Sequence, residues 1–146
     1  MQKLTPSKIF LIALVVVSVV GFADATYLTA KHYLNSPVTC SIIKGCEIVT
    51  ESKYSAVFNI PIALFGMFYY LFVSVLLFLH MEGVKGALKL LVVSAAVGFL
   101  TTLYLIYLQA FVLNAFCMFC IISAISSTAL FIGVLRLWQL SKKSHV

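Results

Sequence analysis

Cys117 and Cys120 stand three residues apart at the start of a long apolar run, within Asn114-Ala115-Phe116-Cys117-Met118-Phe119-Cys120. A helix beginning here stacks both sulfurs on one face, because residues i and i+3 are neighbours. Asn114 is a good N-cap, which predicts that both cysteines fall in the first turns. There the positive end of the helix dipole favours the thiolate and lowers a thiol below its ordinary pKa of about 8.5. Cys40 and Cys46 lie far upstream in a polar stretch. Two such pairs support thiol–disulfide exchange, in which a thiolate attacks a disulfide sulfur through a mixed disulfide. Four cysteines allow three pairings, and the sequence does not choose among them. A four-thiolate zinc site, two inert disulfides and buried unpaired thiols are the alternatives. Zinc knuckles present two tight pairs in a polar setting, unlike C-x5-C and an apolar C-x-x-C, so no metal is expected.

Composition says what must position these residues. The chain is 63% hydrophobic and only 10% charged, far outside the soluble range. Four apolar runs are long enough to cross a bilayer: roughly Ile9 to Ala30, Ile60 to His80, Ala87 to Phe111 and Ala115 to Leu140. They predict an all-α membrane protein, a four-transmembrane-helix bundle in one domain over residues 1–146. The first run continues past Ala23-Asp24-Ala25, a poor cleavage site, so it is read as a retained span. Gly21, Gly66, Gly98 and Gly133 mark close helix contacts. The net charge of +6 comes from Lys and Arg that flank apolar runs, so no nucleic-acid partner is expected. Lys3, Lys8, Lys85, Lys89, Arg136, Lys142 and Lys143 fall on one side, and Lys31, Lys44 and Lys53 on the other. The richer side is expected to be cytoplasmic, with both termini there. All four cysteines then face outside, where disulfides form and persist. Val49 to Phe58 in the outer loop reads as a short amphipathic helix on the membrane surface, and Pro61 fits the first turn of the second span.

The exposed loop pair is placed to meet a soluble protein, and a mobile loop could swing Cys46 onto Cys117. The C-x-x-C pair at the bundle mouth is placed to meet an acceptor dissolved in lipid. That acceptor must take two electrons, and a quinone does both. Aromatic residues near this mouth include Tyr27 and Phe116. Asp24 is costly in a span unless it faces protein or water; there it could orient a quinone oxygen or manage protons, and Gln109 has the same standing.

These features together resemble the vitamin K epoxide reductase family over nearly the whole chain. The resemblance rests on the order of spans, Cys40-x5-Cys46 with Gly45-Cys46-Glu47, and Cys117-Met118-Phe119-Cys120. Tyr27-Leu28-Thr29 and Asn59-Ile60-Pro61-Ile62-Ala63-Leu64-Phe65-Gly66 are similar to microbial members. The resemblance implies that Cys40 exchanges with a thioredoxin-like partner, Cys46 relays to Cys117, and Cys120 faces the quinone. It places Ser52 near the quinone, with Ser55 as the fallback. It implies a quinone of menaquinone, ubiquinone or vitamin K type and a prokaryotic plasma membrane. Many microbial members carry a fused thioredoxin-like domain; this chain ends at Val146 without one, so a separate partner is expected. Animal members carry a tyrosine where this chain has Ala124, which favours a plain quinone over vitamin K epoxide. The four-helix family similar to disulfide bond protein B has the two cysteine patterns in reverse order. A non-catalytic membrane adaptor with static disulfides is the alternative from a different class.

Overall fold

A computed structural model describes residues 6–38, 40–41 and 45–144. Four long helices run Pro6–Tyr33 (α1), Ile62–Met81 (α3), Ala87–Tyr107 (α4) and Met118–Ser144 (α5), and a short helix Cys46–Thr50 (α2) lies between the first two. A π-helical stretch, Leu108–Val112, continues α4. The membrane-spanning segments are Lys8–Tyr33, Ile62–Met81, Ala87–Val112 and Met118–Lys143, within a few residues of those expected. The protein is a four-transmembrane-helix bundle.

Side-chain pairs set the order of the helices. Ser18 on α1 donates to the Tyr70 carbonyl on α3 at 2.9 Å and shares a 2.8 Å hydrogen bond with Ser74. One turn further along α1, Gly21 faces the Tyr70 ring, and Ala25 packs at Gly66. The rising numbers on one helix meet falling numbers on the other, so the two are antiparallel. Gly133 of α5 seats Leu14 of α1, and Gly98 of α4 seats Tyr69 of α3. The helices therefore form a closed ring, α1–α3–α4–α5, each packed on its two neighbours. Lipid is as apolar as leucine, so close packing and interhelical hydrogen bonds, rather than hydrophobic burial, hold such a ring together. A Cβ at Gly21, Gly98 or Gly133 would overlap the side chain seated there. Inside are Leu14, Tyr70, Val73, Leu77, Leu91 and Leu130; Val16, Phe72, Leu100 and Ile132 point outward as a lipid-facing surface.

The cysteine loops gather at one end of the ring. Lys8, Lys85, Lys89, Arg136, Lys142 and Lys143 lie toward the other end, in the outer turns of α1, α4 and α5 and in the turn between α3 and α4; Lys3 and Lys44 of the charge count lie outside the described residues. The loop helix is displaced from its expected place. It occupies Cys46–Thr50, burying Cys46 and Val49, rather than Val49 to Phe58. Turn chemistry overrides the apolar pattern downstream. Phe58 and Asn59 both take positive φ, 52° and 62°, as a two-residue turn of mirror-image type requires. They join Ala56–Val57 (β1) to Ile60–Pro61 (β2), with Ala56 opposite Pro61 and Val57 opposite Ile60. Pro61 is the N-cap of α3 rather than a residue of its first turn.

Candidate active site

Cys40 and Cys46 are joined in a disulfide, with their Cα atoms 5.9 Å apart, while Cys117 and Cys120 are free thiols. Cys46 and Cys117 are buried in one small cluster with Val38, Val49 and Ala115, and Cys40 and Cys120 pack against it. The contact depends on Gly45. Its φ is +149°, and a Cβ there would stand 3.0 Å from the Phe116 carbonyl oxygen and 3.4 Å from the Ala115 Cβ. Only glycine lets the loop backbone lie flat on the turn that carries Cys117.

That turn explains why the α5 cap is not the expected one. Asn114 takes φ +47°, a left-handed conformation that asparagine tolerates better than most residues, and lies before the helix without capping it. The helix starts at Met118, and the Cys117 carbonyl accepts the Ile121 N–H at 3.0 Å. Cys117 is therefore itself the N-cap, and Cys120 is the third helical residue. The Cys120 thiol, hydrogen-bonded to the Cys117 sulfur, holds the Cys117 thiol down at about 7 against burial that pushes it up. The Cys120 and Phe119 N–H groups add to the lowering, as N–H groups at a helix start stabilise an anion. The thiolate expected at this helix end is thus favoured through a different residue geometry.

Gln109 also has a partner that its position in the sequence does not reveal. It is 5% exposed, in the π-helical turn where one extra residue per turn rotates the side chain. Its Oε1 accepts the Cys117 backbone N–H at 3.1 Å, and its own carbonyl accepts the Ala115 N–H at 3.1 Å. π-Helical turns recur at functional sites because they re-aim side chains in this way.

Beneath α2 and the hairpin lies a cavity of about 860 Å³ that extends into the ring. That is ample for a drug-sized molecule. Asp24, Ser52, Gln109 and Cys120 line it, brought together from α1, the loop, the π-helical turn and α5. Ser52 donates to the Val49 carbonyl at 2.8 Å, and Ser55, also in the wall, donates to the Ser52 carbonyl at 2.8 Å. Tyr27 and Phe116 stand elsewhere. The Tyr27 ring is 40% exposed and 4.9 Å from the Phe119 ring. Phe116 borders a smaller apolar groove between α4 and α5 that shares Cys120, Gln109 and Ala124 with the cavity.

Sequence reasoning missed the polar groups deeper in the cavity: Tyr69, Tyr70, Ser123 and Ser127. The Tyr70 hydroxyl bonds the Ser123 carbonyl at 2.7 Å and the Ser123 hydroxyl at 2.9 Å. Their signal was present as Cys120, Ser123 and Ser127, spaced i, i+3, i+7 on one helix face. Among the described residues, three buried polar atoms in the wall have no hydrogen-bond partner: Asp24 Oδ2, Tyr69 Oη and Ser127 Oγ. In an apolar environment each such atom is costly. A mainly apolar chamber with unpaired hydroxyl and carboxyl groups can hold an apolar molecule that carries hydrogen-bonding groups.

No match to a curated protein was found. The model of the Vitamin K epoxide reductase family matches residues 12–135, which takes in all four cysteines, Asp24, Gln109 and every cavity residue named above. By that match and by its four-helix architecture, the chain belongs to the vitamin K epoxide reductase family.

Proposed function

We propose that this membrane oxidoreductase takes electrons from a separate thioredoxin-like protein at Cys40–Cys46. It passes them to Cys117–Cys120 and on to a quinone in the cavity, supporting disulfide formation on the outer side. One observation carries the reading: a closed disulfide and a free dithiol are packed in one buried cluster, with Cys120 also in the cavity wall. This is the arrangement expected after electrons have moved from the loop pair to the α5 pair.

The steps balance as thiol–disulfide exchange. The partner's dithiol opens Cys40–Cys46, leaving two cysteine thiols and an oxidised partner. The Cys46 thiolate attacks Cys117 Sγ of a Cys117–Cys120 disulfide, forming the Cys46–Cys117 bond and releasing Cys120. The Cys40 thiolate attacks Cys46 Sγ, re-forms the loop disulfide and releases Cys117. Cys117 is a good leaving group because its thiol is held at about 7. A bound quinone supplies the sink for two electrons and two protons as Cys117 and Cys120 close. Asp24 and Ser52 would hold its head beside Cys120, and Gln109 keeps Cys117 in place. Partly exposed Cys40, beside exposed Ser41, is open to a protein partner. The charge distribution supports cytoplasmic termini and a site facing the periplasm, exterior or lumen.

The test uses purified protein, a reduced thioredoxin-like substrate and a choice of menaquinone and ubiquinone, followed by quinone absorbance. Cys40→Ser and Cys120→Ser should each enrich a Cys46–Cys117 bridge on non-reducing gels. Four cysteines held in two fixed pairs, with no quinone reduced, would establish the static adaptor instead.

A further inference from the structure

The deep end of the cavity is built and polar, and two of its hydroxyls, those of Tyr69 and Ser127, have no hydrogen-bond partner among the described residues. Ser127 is 3% exposed, and its hydroxyl has no partner. The threonines of the bundle show what is ordinary: Thr26, Thr29 and Thr128 each donate to the carbonyl four residues earlier at 2.7 to 2.8 Å. Ser127 makes no such bond. The Tyr69 hydroxyl is a close neighbour of Ser127, and neither oxygen has a well-formed hydrogen bond among the described residues. Tyr69 is held there by Gly98, where a Cβ would overlap Tyr69 Oη and Cζ. Two hydroxyls from α3 and α5 are thus fixed side by side in the wall, both with a hydrogen to donate.

Ser127 is seven residues below Cys120 on the same face of α5, about 10 Å along the axis at 1.5 Å per residue. Asp24, the third unpaired group, belongs to α1 and lines the same chamber as Cys120. The unpaired groups therefore divide between a carboxyl on α1 and a hydroxyl pair contributed by α3 and α5. A quinone is a flat apolar ring with an acceptor oxygen at each end.

We propose that the Tyr69 and Ser127 hydroxyls donate hydrogen bonds to the second carbonyl oxygen of the quinone, the one remote from Cys120. This rests on the reading that the cavity takes a quinone. The hydroxyl pair orients the ring and withdraws electron density from it, and Asp24 faces the near oxygen. When the Cys120 and Cys117 thiols close to a disulfide, the two electrons enter the ring and the two thiol protons end on its oxygens. Tyr69 and Ser127 remain donors throughout, so they are positioning and binding residues.

The test measures menadione binding to the oxidised, detergent-purified full chain, with both cysteine pairs as disulfides so that the quinone is bound without being reduced, by equilibrium dialysis, and the two carbonyl stretching bands of bound menadione by infrared difference spectroscopy. Tyr69→Phe and Ser127→Ala should each weaken binding about tenfold, the effect of one lost hydrogen bond to a buried acceptor. Each should raise one carbonyl band toward its frequency in apolar solvent and leave the other in place. Ser127→Thr should keep the wild-type band positions. Transfer between Cys40–Cys46 and Cys117–Cys120, read by alkylation, should not change, which also checks folding. If Tyr69→Phe does not fold, Ser127→Ala, which removes a single oxygen, decides the matter. Unchanged affinity and unchanged bands in a folded Ser127→Ala protein would overturn the inference, even with a lowered melting temperature, since the hydroxyls would then serve only each other. Failure of the wild-type chain to bind menadione or reduce any quinone would overturn the quinone reading itself.

Discussion

Gln109 holds Cys117 by its backbone: Oε1 accepts the Cys117 N–H at 3.1 Å, from eight residues earlier in the chain. The amide is buried with the cysteine, so nothing else is placed to satisfy the N–H. Gln109→Ala should leave a buried donor unpaired and destabilise the fold by about 1–3 kcal/mol. The melting temperature in detergent checks this, and Gln109→Glu, which keeps an acceptor oxygen, should recover part of the loss. Interpair exchange should slow in Gln109→Ala, because the Cys117 turn loses its anchor.

Gly45→Ala should separate the two redox pairs without unmaking either. The residue needs φ +149°, and the new Cβ would press on the Phe116 carbonyl oxygen at 3.0 Å. Strain in such a backbone region costs about 1–3 kcal/mol, and lifting the loop relieves it. Transfer from Cys46 to Cys117, followed by rapid alkylation, should slow about tenfold or more. The Cys40–Cys46 disulfide should still form, which a mass measurement after alkylation will show.

The Cys117 thiol should alkylate with a midpoint near pH 7, below a free thiol, because Cys120 and two backbone N–H groups favour its thiolate. Cys120→Ala removes the leading cause and should move the midpoint upward. The sign of the stability effect follows. A thiol whose folded pKa is depressed stabilises the fold above its unfolded pKa, and this contribution is lost as pH falls through the folded value. For Cys117 the loss should span the interval from about 9 down to about 7. A rise in melting temperature on acidification over this window, specific to the protein with Cys117 intact, would contradict it.

Gly21→Ala tests the α1–α3 seam. Its Cβ would overlap the Tyr70 ring, and Tyr70 also carries the bonds to Ser123 and receives the one from Ser18. Overpacking of this kind typically destabilises by about 1–3 kcal/mol. The shifted Tyr70 should also loosen α5 near Cys120, so quinone turnover should fall along with thermal stability. Gly83→Ala at the opposite end, where a Cβ meets nothing, is a poor control because its φ is +80°; Leu100→Ala on the lipid-facing surface is the better one.

Much of this protein is written locally in the chain. Hydropathy alone places four spans to within a few residues, since a bilayer-crossing helix must be apolar along its length whatever it packs against. Antiparallel hops between spans then oblige the Cys40–Cys46 loop and the Cys117–Cys120 helix start to share one end. Glycines against larger residues were readable for the same reason, because ring closure needs small positions at the crossings. Turn and cap geometry was less readable. Asn114 fits a cap by residue type, but the π-helical turn ends at Val112 and the chain runs five residues further before α5 starts at Met118, which makes Cys117 the cap. Val49 to Phe58 looked helical, but Phe58 and Asn59 form a hairpin turn whose strands pair only in three dimensions. Gln109, Tyr69 and Ser127 are single polar residues in apolar runs, and sequence cannot say what each one faces. The tertiary structure decided that Gln109 faces Cys117 and that Tyr69 and Ser127 face a shared chamber. Side-chain partners across a bundle depend on the rotation of each helix about its axis, which only the packing of all four together determines.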